Sequence, residues 1–339
     1  MTWISRFEAR WAGVWSRTPG LRWLGRWGVS IASVCLGLTT LFVFRRGVEY
    51  FPLFCGYLLL LWLGGVVFAG HRRELASRTP RAVSVAIDYT VQTLLHGLLL
   101  FLLPIYYAST TVMSGNVWFL LVLVLATILT TIDPWYRKIV ARWRWMETAL
   151  FGLGLFASLN VAFPLIGVRS GWALLASGPA SLLALSPVMH RLRVEKWAGV
   201  LLGAAGLATG PWLIREWMPP VPLQLTRATF AQAVERLEPV DPVRRISIEA
   251  FRSWGRISAF SAISAPAGLR EPVTHVWQKD GRTVSRFPLT AVRGGRPGGF
   301  RTYSWKSDLG PQPVGLWRVE VRTAYDQLIG RMSLEVTDP

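Results

Sequence analysis

Glu216-Trp217-Met218-Pro219-Pro220-Val221-Pro222 separates two kinds of sequence pattern. Before this stretch, apolar residues run almost unbroken; after it, they alternate with polar ones. Proline lacks the backbone N–H and fixes φ, so three prolines within residues 219–222 cannot continue a helix. Residues 215–222 therefore read as a stiff, extended linker between two differently built parts.

Upstream lie seven apolar stretches, 29–44, 50–70, 83–107, 117–132, 146–168, 171–189 and 197–214. Each can cross a ~30 Å hydrocarbon core, although the first and fourth are short. Lys and Arg number 5, 2, 4, 0, 4, 1 and 3 in the segments before successive stretches, with Arg215 following the last. High counts fall on alternate segments, as the positive-inside rule requires. The expectation for 29–214 is a membrane all-α bundle of seven transmembrane helices. The N-terminus is then cytoplasmic and residues 223–339 lie in the periplasm. Residues 1–28 place Trp3, Ile4, Phe7, Trp11, Val14 and Trp15 at helical spacing among arginines. They read as a basic amphipathic leader lying on the cytoplasmic face of the bilayer. No small-x-small cleavage site follows, so the first stretch is expected to stay as an anchor.

Downstream, Trp317-x-Val319-x-Val321 and Leu328-x-Gly330-x-Met332-x-Leu334-x-Val336 alternate as half-buried strands do. Val273-x-His275-x-Trp277 precedes Asp280-Gly281, and Thr283-x-Ser285-x-Phe287 follows it, which signals a hairpin. With strands near 257–263 and 300–305, six or seven strands fit residues 223–339, as in an all-β sandwich. Residues 230–236 leave a short helix open as an alternative.

The formal charge of +18 divides into 20 basic and 8 acidic groups over 1–220, and 17 and 11 over 221–339. Most of the excess is the charge that orients membrane helices, so nucleic acid is not an expected partner. The two cysteines, Cys35 and Cys55, lie at different depths in predicted spans, and the downstream part has none. Its stability must come from its core rather than from disulfides.

His275-x-Trp277, Asp280-Gly281, Arg301-x-x-Ser304, Gly315-x-Trp317-x-Val319-x-Val321 and Leu334-x-Val336 together resemble an uncharacterised bacterial envelope family. That module, a domain of unknown function, follows multi-span membrane regions. The upstream Leu103-Pro104-x-Tyr106-Tyr107-x-Ser109-Thr110 is similar to its companion region. The resemblance implies an immunoglobulin-like module in the periplasm of a Gram-negative bacterium, and it implies no activity.

Two residue sets stand out as candidate sites. Asp88, Gln92 and His96 recur at i, i+4 and i+8, on one face of a helix, and Asn160 is the obvious polar partner elsewhere. Such a stripe serves either as a proton or ion path or as hydrogen-bonding between helices. In the exported part, Arg282, Arg286, Arg293, Arg296 and Lys306 form a candidate binding surface for a partner protein or an anionic envelope polymer. His275 shares a strand face with Trp277 and reads as a core histidine bonded to a backbone carbonyl. Ser304 has no evident base and acid to activate it. With four histidines in the chain and no Cys or acidic cluster beside the exported one, no metal or cofactor is expected. Gly199, Gly203, Gly206 and Gly210 offer a face for close helix approach, within the chain or in a homo-oligomer. The expected function is a non-catalytic inner-membrane protein presenting a binding module. The alternative is a transporter or signal transducer acting through the Asp88–His96 stripe.

Overall fold

A computed structural model describes residues 81–143, 145–182 and 197–338. The leader, the first two apolar stretches and both cysteines lie outside the described residues. The α-helices are α1 (Arg81–Ala108), α2 (Asn116–Thr131), α3 (Asp133–Arg142), α4 (Trp145–Leu165), α5 (Ser170–Ala180), α6 (Trp197–Leu213) and α7 (Ile248–Trp254).

The expected seven-span bundle is not supported. Among the described residues one helix, α4, is long and apolar enough to cross a membrane, or two if one bent helix pair counts as a single span. Hydropathy counts apolar residues whether or not the helix carries through them. Residues 183–189 of the apolar run 171–189 lie outside the described residues, and helix α5 within that run has only 11 residues, with Pro179 in its last turn. That is about 16 Å at 1.5 Å per residue, roughly half a hydrocarbon core. Helix α2 has 16 residues and α6 has 17.

The chain divides into two compact units. The first contains α1 up to Leu102, α2 from Leu123 onward, α3, and α4 up to Gly154. Here Leu95 and Leu98 close on Gly154, where an added Cβ would lie 3.2 and 3.3 Å from their methyl carbons.

The second unit contains residues 103–122, 155–182 and everything from Leu192 on. It includes the β-sheet region, which begins at Gln224. One sheet is ordered β2-β1-β4-β9, from β1 (Gln224–Glu235), β2 (Glu238–Val243), β4 (Ile257–Ser264) and β9 (Phe300–Lys306). The other is β3-β11-β10-β6-β7, from β3 (Arg245–Ser247), β6 (Val273–Lys279), β7 (Arg282–Pro288), β10 (Gly315–Thr323) and β11 (Leu328–Thr337). Strands β5 (Arg270–Glu271) and β8 (Val292–Arg293) pair separately. Strand β3 runs parallel to β11. The C-terminal part is thus β-sheet, its two large sheets sharing one core beside a small two-stranded pair.

The alternating residues behave as their parity demands. Trp317, Val319, Val321, Leu334 and Val336 join Phe230, Ile257, Ile263 and Trp277 in one core shared by both large sheets. The β6–β7 hairpin turns at Asp280 (φ 47°) and Gly281 (φ 81°), the two left-handed residues of a tight hairpin turn. The β1–β2 turn uses Arg236 (φ 49°) and Leu237 (φ 60°) in the same way, with no glycine to announce it. The segment 230–236 is therefore not a helix: residues 230–235 belong to β1 and Arg236 to the turn that follows.

Within the second unit the sheets rest on the ends of the helices. Asn116 at the start of α2 donates to the Leu328 carbonyl at 2.9 Å, and Arg331 donates to the Val112 carbonyl at 2.8 Å. Arg215 Nε donates to the Tyr325 carbonyl at 3.0 Å, and the Trp212 and Tyr325 rings meet edge to face at 5.5 Å. Residues 218–221, read from the sequence as part of a spacer, are buried.

Candidate functional site

The polar stripe divides between two places. Gln92 is buried and donates from Nε2 to the Thr130 carbonyl at 3.0 Å. His96 is buried too, with Nδ1 3.0 Å from Thr131 Oγ1 and 3.4 Å from Thr130 Oγ1. Asp88 lies on α1, but its side chain falls outside what the structure describes. Asn160 does not join the stripe; its Nδ2 donates to the Tyr106 hydroxyl at 3.4 Å, while that hydroxyl donates to the Ala157 carbonyl at 3.0 Å. The threonines that receive the stripe were not singled out in the sequence. Their hydroxyls bond their own helix one turn back, which makes them ordinary in an apolar helix until the partner is known.

The glycine face of α6 has no close neighbour: a Cβ added at Gly199, Gly203, Gly206 or Gly210 would meet nothing within 4 Å. The close helix approach falls elsewhere. A Cβ at Gly178 of α5 would lie 1.8 Å from the Leu207 carbonyl oxygen of α6.

In the core between the sheets, His275 of β6 is held by two serines of the opposite sheet. Ser261 Oγ on β4 lies 2.9 Å from Nε2, and Ser304 Oγ on β9 lies 2.9 Å from Nδ1. Trp277 Nε1 donates to the same Ser304 Oγ at 2.9 Å. The expected backbone carbonyl partner is thus replaced by a side-chain bridge between sheets. A neutral imidazole, with one donor and one acceptor, matches two hydroxyls, which can each give or take a proton. Burial disfavours the imidazolium and pushes the His275 pKa down to about 3. Ser304 and His275 meet at hydrogen-bond distance, but both point into the core, where they tie the sheets together.

A second buried polar group was not legible in the sequence. Glu271 of β5 is fully buried and accepts from the backbone N–H of Ser170 at 2.9 Å and from Ser170 Oγ at 3.0 Å. Ser170 is the first residue of α5, so the carboxylate meets the N–H groups that a helix start leaves unpaired. Burial raises the Glu271 pKa, opposed by the two Ser170 bonds and by Arg169.

The basic residues expected to form one binding surface are spread along the sheets. Arg286 pairs with Asp326 at 3.0 Å. Arg296 lies in the turn before β9, its guanidinium carbon 5.0 Å from the centre of the Phe300 ring. Lys306 ends β9 and donates to Ser285 Oγ of β7 at 3.4 Å. Arg282 and Arg293 are exposed at opposite ends of the β7–β8 segment and make no ion pair among the described residues.

Lys306 also lines a groove of about 610 Å³ between β7 and β9, one edge strand from each of the two large sheets. Phe287, Pro288 and Leu289 form one wall; Tyr303, Trp305, Ser307 and Asp308 form the other with Lys306. This volume lies in the range of small-ligand sites. Tyr303 and Trp305, two apart on β9, stand 40% and 50% exposed. The sequence marked Lys306 but not the aromatic pair, since outward-facing aromatics on a strand carry no pattern distinct from core ones.

The architecture combines apolar helices with a β region of two large sheets and one small pair. A profile of the family of unknown function DUF5924 matches residues 7–257, more than half of the chain, and the protein belongs to that family. Residues 270–336 match a second profile, the protein of unknown function DUF2914. The first match runs through the proline-rich segment into β1–β3 and α7, so the matched region does not stop at that segment. No curated protein and no solved structure matches the chain.

Proposed function

We propose that the protein is anchored in a bacterial inner membrane by its helices and presents its β region in the periplasm as a non-catalytic binding module for an anionic envelope polymer. One observation carries the reading: exposed apolar side chains concentrate on the helices, while Arg282 and Arg293 stand exposed on the β region with no ion pair among the described residues. On α2, Trp118, Leu121, Val122, Leu125 and Ile128 form a helical stripe 41 to 63% exposed, while Thr127 and Thr130 are buried. Water would reverse that polarity; hydrocarbon favours it.

The orientation is supported without counting spans. Residues 108–116 before α2 contain no Lys or Arg, whereas residues 133–145 after it contain four. The positive-inside rule assigns the 108–116 side to the periplasm. Strand β11 is bonded to Val112 and Asn116 of that same segment. The transporter alternative gains nothing from the stripe on α1, because Gln92 and His96 are bonded to the threonines of α2.

The test is co-sedimentation of the intact protein, in nanodiscs, with peptidoglycan sacculi over a salt series. Binding that weakens steadily as salt rises, and falls when Arg282→Ser and Arg293→Ser are combined, is the expected result. No sedimentation at low salt, or binding indifferent to both salt and the arginines, would overturn the polymer reading in favour of a protein partner.

A further inference from the structure

We propose that the groove between β7 and β9 is a saccharide-binding site, with Tyr303 and Trp305 as the stacking platform and Lys306 and Asp308 as hydrogen-bonding groups for sugar hydroxyls. The proposal rests on the polymer-binding reading above and names the part of the polymer that the β region grips.

Four observations favour a sugar over other occupants. First, Tyr303 and Trp305 line the groove from one face of β9, the face opposite to Ser304 and Lys306, about 7 Å apart along the strand, and both are substantially exposed. Aromatic rings so placed suit the flat C–H faces of successive pyranose rings, which combine an apolar face with a polar rim as the rings themselves do. Second, the groove carries one cation, Lys306, and one carboxylate, Asp308. That balance selects neither a polyanion nor a polycation, and it supplies both a donor and an acceptor to hydroxyl groups. Charged substituents of the polymer are left to Arg282 and Arg293, outside the groove.

Third, an added peptide strand is disfavoured at both edges. Strand β7 carries Arg282 and Arg286 and ends in Pro288, and β9 ends in Lys306, the residue types that block edge pairing. Fourth, Lys306 Nζ bonds Ser285 Oγ from one edge strand to the other, so the groove already exists without a ligand to draw its walls together.

The experiment uses the full chain in nanodiscs and isothermal titration with soluble β-1,4-linked N-acetylglucosamine oligomers. An uncharged probe separates sugar recognition from the cationic contribution. The expected result is saturable binding that salt leaves unchanged and that Trp305→Ala weakens at least about tenfold. Tyr303→Ala should weaken it as well. Both residues are exposed, so these variants should fold, and wild-type hydrogen-exchange protection of the β6 and β10 amides checks that they do. Retained, salt-sensitive sacculus binding with no oligomer binding, or with oligomer binding indifferent to Trp305, would overturn the saccharide site and leave the polymer reading standing. Loss of sacculus binding in the wild-type protein would overturn the polymer reading itself. Displacement of a bound oligomer by an extended apolar peptide would reassign the groove to peptide.

Discussion

Acid should loosen the β region through one buried side chain, His275. Its ring is satisfied when neutral by Ser261 and Ser304, and burial lowers its pKa from 6.5 to about 3. The sign follows from proton uptake. Between these values the unfolded chain binds a proton that the folded chain refuses, so stability falls as pH drops below 6.5 and levels off below about 3. At pH 5 the loss from this group is about 2 kcal/mol, and at its limit about 5 kcal/mol, at 1.36 kcal/mol per unit. Hydrogen exchange of β6 and β9 amides in the nanodisc-held protein, corrected for intrinsic rates, should show this as faster opening at pH 5 than at pH 7. His275→Gln keeps a hydrogen-bonding group, so its β6 protection should start lower and lose the acid dependence. Because that variant could unfold, ring carbon shifts of labelled histidine in the wild type give an independent reading. A His275 resonance that titrates near 6.5, or β6 protection that is flat from pH 7 to pH 5, would refute the reasoning.

Three further outcomes follow from the same structure. Ser304→Ala should destabilise the β region by about 1–3 kcal/mol, and more than Ser261→Ala, since it strands Trp277 Nε1 as well as one His275 nitrogen; denaturant midpoints of the two variants make the comparison. Glu271 should act opposite to His275: its raised folded pKa means that stability rises as pH falls through that pKa toward 4.5, a slope that Glu271→Gln should abolish in exchange data for β5. Gly178→Ala would press a methyl against the Leu207 carbonyl and should cost about 1–3 kcal/mol as α5 and α6 move apart, read as a lowered melting temperature in nanodiscs, whereas Gly203→Ala should change it little.

Local signals were legible in the sequence; long-range partners were not. The β6–β7 hairpin could be read because Asp280-Gly281 is a turn pair with flanking alternation. The β1–β2 hairpin could not, because Arg236 and Leu237 adopt left-handed backbone without the glycine or asparagine that marks it. Trp317 and Val319 declared their core face by parity, but nothing near His275 identified Ser261 or Ser304, which lie 14 and 29 residues away and on the other sheet. Glu271 stands beside Pro272 in a stretch with no sequence signal of burial; only its meeting with Ser170, 101 residues upstream, explains why it is buried. The helical part misled for a different reason. Hydropathy reports how apolar a run is, not whether one helix carries it, and α5 stops after 11 residues of a longer run.

The central claim, a helical membrane anchor presenting the β region on the periplasmic side, is tested most directly by paired reporter fusions. A phosphatase active only outside the cytoplasm, fused after Pro339, should be active in cells. The same reporter inserted after Arg142, on the basic flank of α2, should be silent at equal expression. Activity at Arg142 with silence at Pro339 would contradict the orientation, and equal activity at both sites with the protein recovered in the soluble fraction would contradict the membrane anchor itself.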